Sequence, residues 1–314
     1  MNVGASRSAR VRIKALVGFV LLLAILACGA YAGRQWRRQV LTARALEAGH
    51  RAYQQEDFAD ACEHYWTSKF AKVLPDRPDL IVMPECASRP STWCGPRNSA
   101  RLNDYYLQHG DRLMDLCTRT AVEHKATVVF SGVRLLDGGL YNCSTVISPE
   151  GKTLGVYCKN HLVIEENEQS GIIFGDKAEV IDSPVGRLGC MICFDLNFEE
   201  IRHGHRRLRP DIIAFASMYH GGLMQQMWAY ECRAYFVAAL PFLGGGILDP
   251  FGRPMALTDC YTPVAQARVN LDRAMVHLDY QREKFREIER RYGDEVCIDT
   301  PPNIGSALIT SLTD

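Results

Sequence analysis

The sequence predicts an α/β domain in which strands and helices alternate in layers, on three observations. Short apolar runs at 79–84, 126–133 and 211–217 have the length and composition of buried strands. A longer stretch, 98–125, places its apolar residues at the spacing of an amphipathic helix. The chain contains neither a phosphate-binding P-loop nor a G-x-G-x-x-G turn, so a nucleotide-binding α/β fold is not indicated.

Composition narrows the range of partners. The 314 residues carry Lys+Arg 36 and Asp+Glu 36, a balance without electrostatic attraction to nucleic acid, and we expect no nucleic-acid partner. The 12 Cys are scattered without the spacing of a disulfide scaffold, which favours reduced thiols. One C-x-x-C occurs, at Cys190 and Cys193, and no second one completes a zinc site. We expect neither a metal nor a cofactor.

The amino terminus has the pattern of a membrane anchor. Residues 15–33 contain no charged side chain and follow a basic segment. As a helix, this run spans about 28 Å, close to the thickness of a bilayer core. We therefore expect residues 1–36 to form a basic start and a single-pass transmembrane helix. A cleaved signal peptide and lipid attachment at Cys28 are the alternatives, and arginines on both sides of the run leave the orientation open.

The next segment, 37–75, is predicted to be a helical connector, because Gly49 is its only helix-breaking residue before Pro75. Within it, 46–62 has the small and aromatic spacing of a tetratricopeptide unit, although one such unit cannot bury its own apolar face. A proline-rich turn ends the connector, so 76–314 is predicted to be the main domain.

Three reactive side chains lie where a predicted strand ends. Glu85 directly follows the first strand, and Lys159 follows the second strand, 154–158, of a predicted hairpin. Cys193 lies in the apolar run 188–194, just before a predicted helix. Open α/β sheets place their binding sites at such ends. Because the N–H groups at a helix start favour a thiolate, we expect the Cys193 thiol to ionise readily.

Each of these residues also has an ordinary interpretation. A glutamate or lysine at a strand end is commonly solvated, and a free cysteine commonly behaves as a small buried hydrophobic residue. Cys190 fits the second interpretation, because strand residues three apart point to opposite faces and its sulfur should diverge from that of Cys193. If the three strands are neighbours, however, a carboxylate, an ammonium and a thiol converge. The carboxylate can then take the thiol proton, and the ammonium can stabilise an oxyanion formed by attack at a carbonyl or nitrile carbon.

The three residues stand in motifs that together resemble the signatures of the nitrilase superfamily of carbon–nitrogen hydrolases. The motifs are Met-Pro-Glu85, Cys-Lys159-Asn-His-Leu and Gly-Cys-Met-Ile-Cys193-Phe-Asp-Leu-Asn-Phe-Glu-Glu, in the order and spacing of that family. The resemblance extends over 76–280 and includes the pair Tyr141-Asn142. It implies a nitrilase-like α-β-β-α sandwich, here preceded by a transmembrane helix and a helical connector.

The resemblance also implies a role for each residue. Cys193 is expected to be the nucleophile, Glu85 the general base and Lys159 the oxyanion stabiliser, with the backbone N–H of Phe194 as a second oxyanion donor. Many members place a second glutamate a few residues past the lysine. The candidates are Glu165, Glu166 and Glu168, of which the spacing favours Glu166. Loops after the strand ends are expected to supply selectors of the substrate, and the candidates there are Tyr219, His220 and Trp93.

The residues after the cysteine, Phe194-Asp195, resemble the amidase branches of the family. The predicted function is hydrolysis of a small amide or N-carbamoyl compound through a thioester acyl-enzyme, by a homodimer or larger homo-oligomer. A nitrilase or an N-acyltransferase of the same superfamily is the alternative. A catalytically idle, membrane-tethered interaction module is a further one.

The sequence departs from the family pattern in two places. Family members have a strand well before the Pro-Glu motif, where this chain is predicted to be helical. Where family members have an Arg-Ala-x-Glu-Asn motif in a helix, this chain has Glu231-Cys-Arg-Ala-Tyr-Phe, so the Asn of the family motif is absent. The first departure leaves the edge of the sheet undetermined.

Overall fold

The computed structural model describes residues 4–90, 99–241 and 243–313. The chain divides into two units, Met1–Asp76 and Arg77–Asp314. Trp93, one of the predicted selectors, lies outside the described residues.

The first unit contains two helices, α1 at Gly4–Gln54 and α2 at Phe58–Val73. Between them the chain turns, and the Asp57 carboxylate starts α2 by accepting the backbone N–H of Asp60 at 2.9 Å. This bond satisfies one of the donors that a helix start leaves free. Helices therefore occupy most of the predicted connector, 37–75, with this turn between them.

The predicted membrane segment, 15–33, lies within α1. Across the described ranges of the chain, we find no helix that combines the length and the apolar character needed to span a membrane. Residues 37–75 contain helices and turns, so the departure from the family's early strand is also present in the structure.

Four strands form the first sheet of the second unit: β1 Leu80–Val82, β2 Thr127–Leu136, β3 Gly139–Ile147 and β4 Thr153–Cys158. Their order is β1-β2-β3-β4, with β1 parallel to β2 and the other pairs antiparallel. Between β1 and β2 the chain forms α3, Ser99–His124, as a parallel pair of strands requires a long crossover. The predicted hairpin and the predicted helix 98–125 are confirmed.

Six strands form the second sheet: β5 Val180–Ser183, β6 Gly186–Ile192, β7 Ile212–Ala216, β8 Tyr235–Ala239, β9 Gly246–Leu248 and β10 Pro254–Leu257. Their order is β10-β9-β8-β7-β6-β5, with a parallel centre of β6, β7 and β8. Two helices connect the parallel strands, α4 Glu199–Leu208 and α5 Met224–Cys232. The predicted alternation of strands and helices is therefore confirmed here.

The two sheets pack face to face. Alternate residues of β6 divide between two buried clusters, as the period of a strand requires. Cys190 and Ile192 join Val129 and Val146 of the first sheet, whereas Met191 joins residues of α4 and α5. The prediction that Cys190 is a core residue is confirmed, since its side chain is fully buried.

Helix α3 covers the other face of the first sheet. Its Asp111 pairs with Arg134 of β2 at 3.3 Å, and Arg134 lies on the side of the strand opposite to Val129. The layers of this unit are thus helix, sheet, sheet and helices, which gives an α/β fold of the expected kind.

A third, three-stranded sheet lies toward the carboxyl end: β11 Arg273–His277, β12 Val296–Asp299 and β13 Ser306–Ser311, in the order β11-β13-β12. Helix α6, Arg282–Tyr292, lies between β11 and β12 in the chain. The sequence did not predict β12 or β13.

Candidate active site

Glu85, Lys159 and Cys193 come together although their strands do not pair with one another. β1 and β4 lie at opposite edges of the first sheet, and β6 belongs to the second. The premise that the three strands are neighbours is therefore wrong. The side chains meet because the sheets pack face to face. The Lys159 Nζ lies 2.9 Å from Glu85 Oε1, and the Glu85 carboxylate lies close enough to the Cys193 thiol to raise the pKa of that thiol.

Lys159 is a buried cation between two carboxylates. Its side chain is 1% exposed, and its ammonium donates to Glu85 Oε1 at 2.9 Å and to Glu166 Oε2 at 2.7 Å. Burial lowers the pKa of a lysine, but Glu85, Glu166 and Cys193 outweigh it and raise the pKa of Lys159 above its ordinary value. The ammonium is therefore a fixed positive charge. In the part of the chain that the structure describes, no cluster of three or more His, Cys, Asp or Glu could hold a metal ion.

The Glu85 carboxylate is buried and held by hydrogen bonds at both oxygens. Oε1 accepts from Lys159 Nζ at 2.9 Å and from Asn142 Nδ2 at 2.8 Å, and Oε2 accepts from the Met218 backbone N–H at 3.0 Å. Burial alone would raise its pKa. The charge of Lys159, with hydrogen bonds from Lys159, Cys193 and Asn142, instead holds the pKa of Glu85 below its ordinary value. At neutral pH this group is an ionised acceptor for a proton.

Of the three candidates for the second glutamate, Glu166 lies against the lysine. It belongs to a π-helical turn, Glu165–Gln169, which follows the lysine segment. Its Oε1 accepts from Asn142 Nδ2 at 2.6 Å. Glu165 and Glu168 of the same turn are exposed to solvent. The structure thus brings one of the three glutamates into the site.

Cys193 occupies a sharp turn directly after β6. Its φ of 47° lies in the left-handed region, which costs a residue with a side chain about 1–3 kcal/mol and recurs at functional sites. The residue begins a 3-10 turn, Cys193–Asn197, and α4 starts only at Glu199. The expectation that the cysteine sits directly at an α-helix start is therefore corrected.

The expectation of a readily ionised thiol is also wrong. Burial, and then the Glu85 carboxylate, raise the pKa of Cys193 to about 11, although Lys159 and a hydrogen bond with Ser217 act in the opposite direction. The thiol is therefore protonated at neutral pH. It can react as a thiolate only if a base takes its proton, and the ionised carboxylate beside it is that of Glu85.

Asp195 ties the cysteine turn to the segment that carries the lysine. Its buried carboxylate accepts the backbone N–H groups of Asn160 and His161 at 3.1 and 2.8 Å, and the Tyr157 hydroxyl at 2.8 Å. Asp195 does not cap the helix that follows it. The cap position of α4 is Phe198, and its side chain makes no capping bond. Asp195 instead fixes the two parts of the site relative to each other.

The predicted substrate-side residues lie at the edge of the site. Phe194 is partly exposed, and its ring packs edge-on against Phe198 at 5.2 Å. Tyr219 and His220 follow β7, with ring centroids 5.0 Å apart. The Ser217 hydroxyl shapes this segment, because it donates to the Tyr219 carbonyl at 2.6 Å and accepts the Tyr219 N–H at 2.8 Å.

Three contributors to the site were not assigned a role from the sequence: Asn142, Asp195 and the backbone of Met218. Asn142 stands in the Tyr-Asn pair that resembles the family, and Asp195 stands two residues past the cysteine, so motif position could have identified both. The contribution of the Met218 backbone N–H could not be recognised from the sequence, because every residue except proline carries such a donor.

Comparisons with known proteins identify the family of this chain. The family model described as carbon–nitrogen hydrolase matches residues 26–274, which begins earlier than the expected 76 and ends near the expected 280. The chain is similar to a deaminated glutathione amidase of Dictyostelium discoideum, with 25% identity over 64% of this chain and 79% of that protein. It is also similar to an omega-amidase of Homo sapiens, with 24% identity over 68% of this chain and 80% of that protein.

A solved structure supports the fold. The crystal structure of a carbon–nitrogen hydrolase from Helicobacter pylori G27 superposes with a TM-score of 0.53 and 17% identity, over 82% of this chain and 88% of that chain. At this identity the likeness concerns the arrangement of helices and strands. It agrees with the face-to-face sheets described above.

Proposed function

The chain belongs to the carbon–nitrogen hydrolase family and is an amidase-like enzyme, and from that premise we propose that it hydrolyses a small carboxamide or N-carbamoyl compound through a thioester on Cys193. One observation carries the proposal. A thiol that is protonated at neutral pH lies beside an ionised, buried carboxylate, and that carboxylate is paired with a buried ammonium at 2.9 Å. These are the nucleophile, the base and the electrophilic group that acyl transfer requires.

The first step is attack on the carbonyl carbon. With a pKa of about 11, only about one Cys193 thiol in 10⁴ is ionised at pH 7, so proton removal has to accompany attack. Glu85 takes the proton, the sulfur forms a bond to carbon, and the π electrons of the carbonyl move to its oxygen. The Lys159 ammonium stabilises the resulting oxyanion. The Phe194 N–H is the proposed second donor, because the first N–H groups of a helical turn have no partner within the turn.

The second step expels the amine. The oxyanion collapses to a thioester as the carbon–nitrogen bond breaks, and the carboxylic acid form of Glu85 gives its proton to the departing nitrogen. Water then enters and Glu85 takes a proton from it. The hydroxyl adds to the thioester, the carbon–sulfur bond breaks, and the Cys193 sulfur recovers a proton. A carboxamide thus gives a carboxylic acid and ammonia or an amine, an N-carbamoyl compound gives an amine and carbamic acid, which breaks down to ammonia and carbon dioxide, and the enzyme is unchanged.

Amides are preferred over nitriles in this proposal. The two relatives above are both named as amidases, and the residues after the cysteine resemble the amidase branches. Tyr219 and His220, at the edge of the site, are proposed to contact the part of the substrate beyond the reacting carbon. Their planar rings favour a substrate with an apolar or planar portion.

A substrate panel tests this proposal. We expect turnover of primary amides or N-carbamoyl compounds with release of ammonia or an amine, and little turnover of nitriles, because the site is set to stabilise an oxygen anion and to protonate a leaving nitrogen. The panel contains primary amides, N-carbamoyl compounds, N-acyl amines and nitriles, and mass spectrometry identifies the product. Preferential turnover of nitriles would contradict the proposal. An acylated amine in place of a free acid would indicate acyl transfer.

We propose further that 15–33 anchors the protein in a membrane by a single pass. The support is the uncharged run in the sequence, together with side chains of α1 that are about half exposed or more, among them Phe19, Val20, Ile25 and Leu26. Apolar surface left in water costs roughly 25 cal/mol per Å², so such a helix gains by entering a bilayer. A signal peptide and lipidation at Cys28 remain the competing possibilities.

Fractionation tests the anchor. The full chain is expected to sediment with membranes and to resist carbonate extraction. The double substitution Leu22→Arg, Leu26→Arg is expected to release the protein from the membrane, because each charge at a helix centre costs about 2.5–3.5 kcal/mol in a bilayer. Leu41→Arg is the matched control, because Leu41 is an exposed residue of the same helix outside the run. Equal fractionation of all variants counts against the anchor. Mass spectrometry of the amino terminus separates it from an acylated Cys28 and from a cleaved leader.

A homodimer or larger homo-oligomer also stays a prediction. The support is an apolar face formed by Leu223, the residue before α5, and by Met227 and Tyr230 of that helix, which recur at helical spacing and are 69%, 38% and 39% exposed. Such a face is typical of a surface that a second copy covers.

A further inference from the structure

Asn142 lies between the two carboxylates of the site. It is fully buried, and its amide nitrogen donates to Glu85 Oε1 at 2.8 Å and to Glu166 Oε1 at 2.6 Å. Lys159 donates to the same two carboxylates. A closed ring of hydrogen bonds therefore runs from Lys159 to Glu85, to Asn142, to Glu166 and back.

This ring holds two carboxylates against the ammonium of Lys159. Two carboxylates in one site usually share a proton, because each negative charge raises the pKa of the other. The pKa of Glu85 nevertheless lies below its ordinary value, and the hydrogen bond from Asn142 is among the causes that lower it. A primary amide has two N–H donors, and this one directs both to carboxylates. It offsets negative charge without adding a titratable group.

The Asn142 amide is oriented with its nitrogen toward the carboxylates, and this orientation leaves its oxygen without a hydrogen-bond donor in the described part of the chain. Asn142 lies in β3, which pairs with β2 on one side and with β4 on the other. Its backbone carbonyl accepts a hydrogen bond from the backbone N–H of Lys159 at 2.9 Å. Its Oδ1 is buried and has no hydrogen-bond partner among the described residues. The reversed amide would face two carboxylates with its oxygen. An unpaired buried acceptor is unfavourable, so this placement calls for a function.

We propose that Asn142 is a positioning residue that keeps Glu85 ionised beside Glu166, so that Glu85 is free to receive the proton of Cys193. The proposal rests on the proposed function, in which Glu85 is the general base. Asn142 itself touches neither the nucleophile nor the substrate in this scheme. It acts through the proton affinity and the position of the base.

Two substitutions test the proposal. Asn142→Leu removes both donors at similar volume, and Asn142→Asp keeps the shape but replaces the donors by a third carboxylate. We expect the acid limb of the kcat/KM profile to move to higher pH by about one unit or more, and further for Asn142→Asp. At pH 7 we expect kcat to fall about 10²-fold, the usual effect of a small misplacement in an active site.

A matched control separates this role from a structural one. Ser144 lies two residues further along β3 on the same face, fully buried, with its hydroxyl 2.7 Å from that of Ser131. Ser144→Ala removes a buried hydrogen bond without touching the carboxylates, so it should lower the unfolding temperature and leave the acid limb in place. If folded Asn142 variants keep the wild-type pH profile, the proposal is overturned. It is also overturned if both fail to fold while Ser144→Ala folds.

A second measurement needs no substrate turnover. The rate at which iodoacetamide alkylates Cys193, followed on its own peptide against pH, reports the same proton transfer to Glu85. If the Asn142 variants shift the low-pH limb of the alkylation profile but the wild type hydrolyses no amide, the proposed function fails and the role of Asn142 stands. If the wild type is an active amidase and the variants leave the limb unmoved, the role of Asn142 fails and the function stands.

Discussion

Cys193→Ala is expected to abolish amide hydrolysis, with kcat reduced by about 10⁴-fold or more, and to leave the protein folded. The substitution removes the nucleophile, and loss of the nucleophile in a group of residues that act together costs nearly the whole catalytic effect. The backbone at this position has positive φ, and alanine and cysteine share the same steric cost there. Steady-state kinetics with the best amide of the panel and a thermal unfolding curve measure the two parts of this expectation.

Cys190→Ala is the matched control. Cys190 is fully buried between the sheets in β6, the strand that ends just before Cys193, and the substitution should lower stability while the surviving folded protein stays active. A labelling experiment gives an independent reading. An electrophilic amide analogue should add one label to the wild type, on Cys193. A label on Cys190, with Cys193→Ala still active, would show that the nucleophile has been assigned to the wrong cysteine.

Glu85→Gln is expected to reduce kcat/KM by about 10²–10⁴-fold, the usual contribution of a general base. The reason lies in the thiol, whose pKa of about 11 leaves it protonated at the pH of the assay. Glutamine cannot take that proton. Glu168→Gln serves as the control, because Glu168 is an exposed glutamate near the same site and its loss should have little effect.

Glu85→Gln is also expected to change the pKa of the Cys193 thiol. The Glu85 carboxylate raises the pKa of Cys193, whereas Lys159 lowers it. Removing the carboxylate and keeping the ammonium should therefore bring the pKa of the thiol below about 11. The midpoint of Cys193 alkylation against pH should move to lower pH in Glu85→Gln while amide turnover is lost. An unchanged or higher midpoint would mean that Glu85 does not act on the thiol.

The pH profile of the wild type follows from the same two groups. The pKa of Glu85 is held below its ordinary value, so the base stays ionised through the neutral range and is protonated only in acid. The thiol keeps its proton until the pH approaches its pKa of about 11. We therefore expect kcat/KM to be level around neutrality and to fall as the pH drops through the pKa of Glu85.

The sequence determined the elements of the second unit where local chemistry is strong. The short apolar runs 126–133, 188–194 and 211–217 became β2, β6 and β7, and the amphipathic stretch 98–125 became α3. The hairpin of β3 and β4 followed from its turn. Each of these depends on periodicity and turn residues, which act over a few positions and can be recognised in the chain itself. The weak strands β12 and β13 lack such a pattern, and they were missed.

The sequence also placed Glu85, Lys159 and Cys193 at strand ends, together with the motifs that identify the family. It could not place those ends relative to one another. The expected neighbouring strands are in fact the two edges of one sheet and a strand of another. Which faces pack together depends on contacts between residues far apart in the chain, and no local pattern encodes them.

The tertiary structure alone decided how the site is charged. It placed Glu166 rather than Glu165 or Glu168 against the lysine, and it made the Asp195 carboxylate hold the cysteine turn and the lysine segment together. It also reversed the expected ionisation of Cys193. From the sequence, a nearby helix start favoured the thiolate. In the folded chain, burial and an adjacent carboxylate favour the thiol, because in a region shielded from water desolvation and close charges outweigh the weaker field of a helix end.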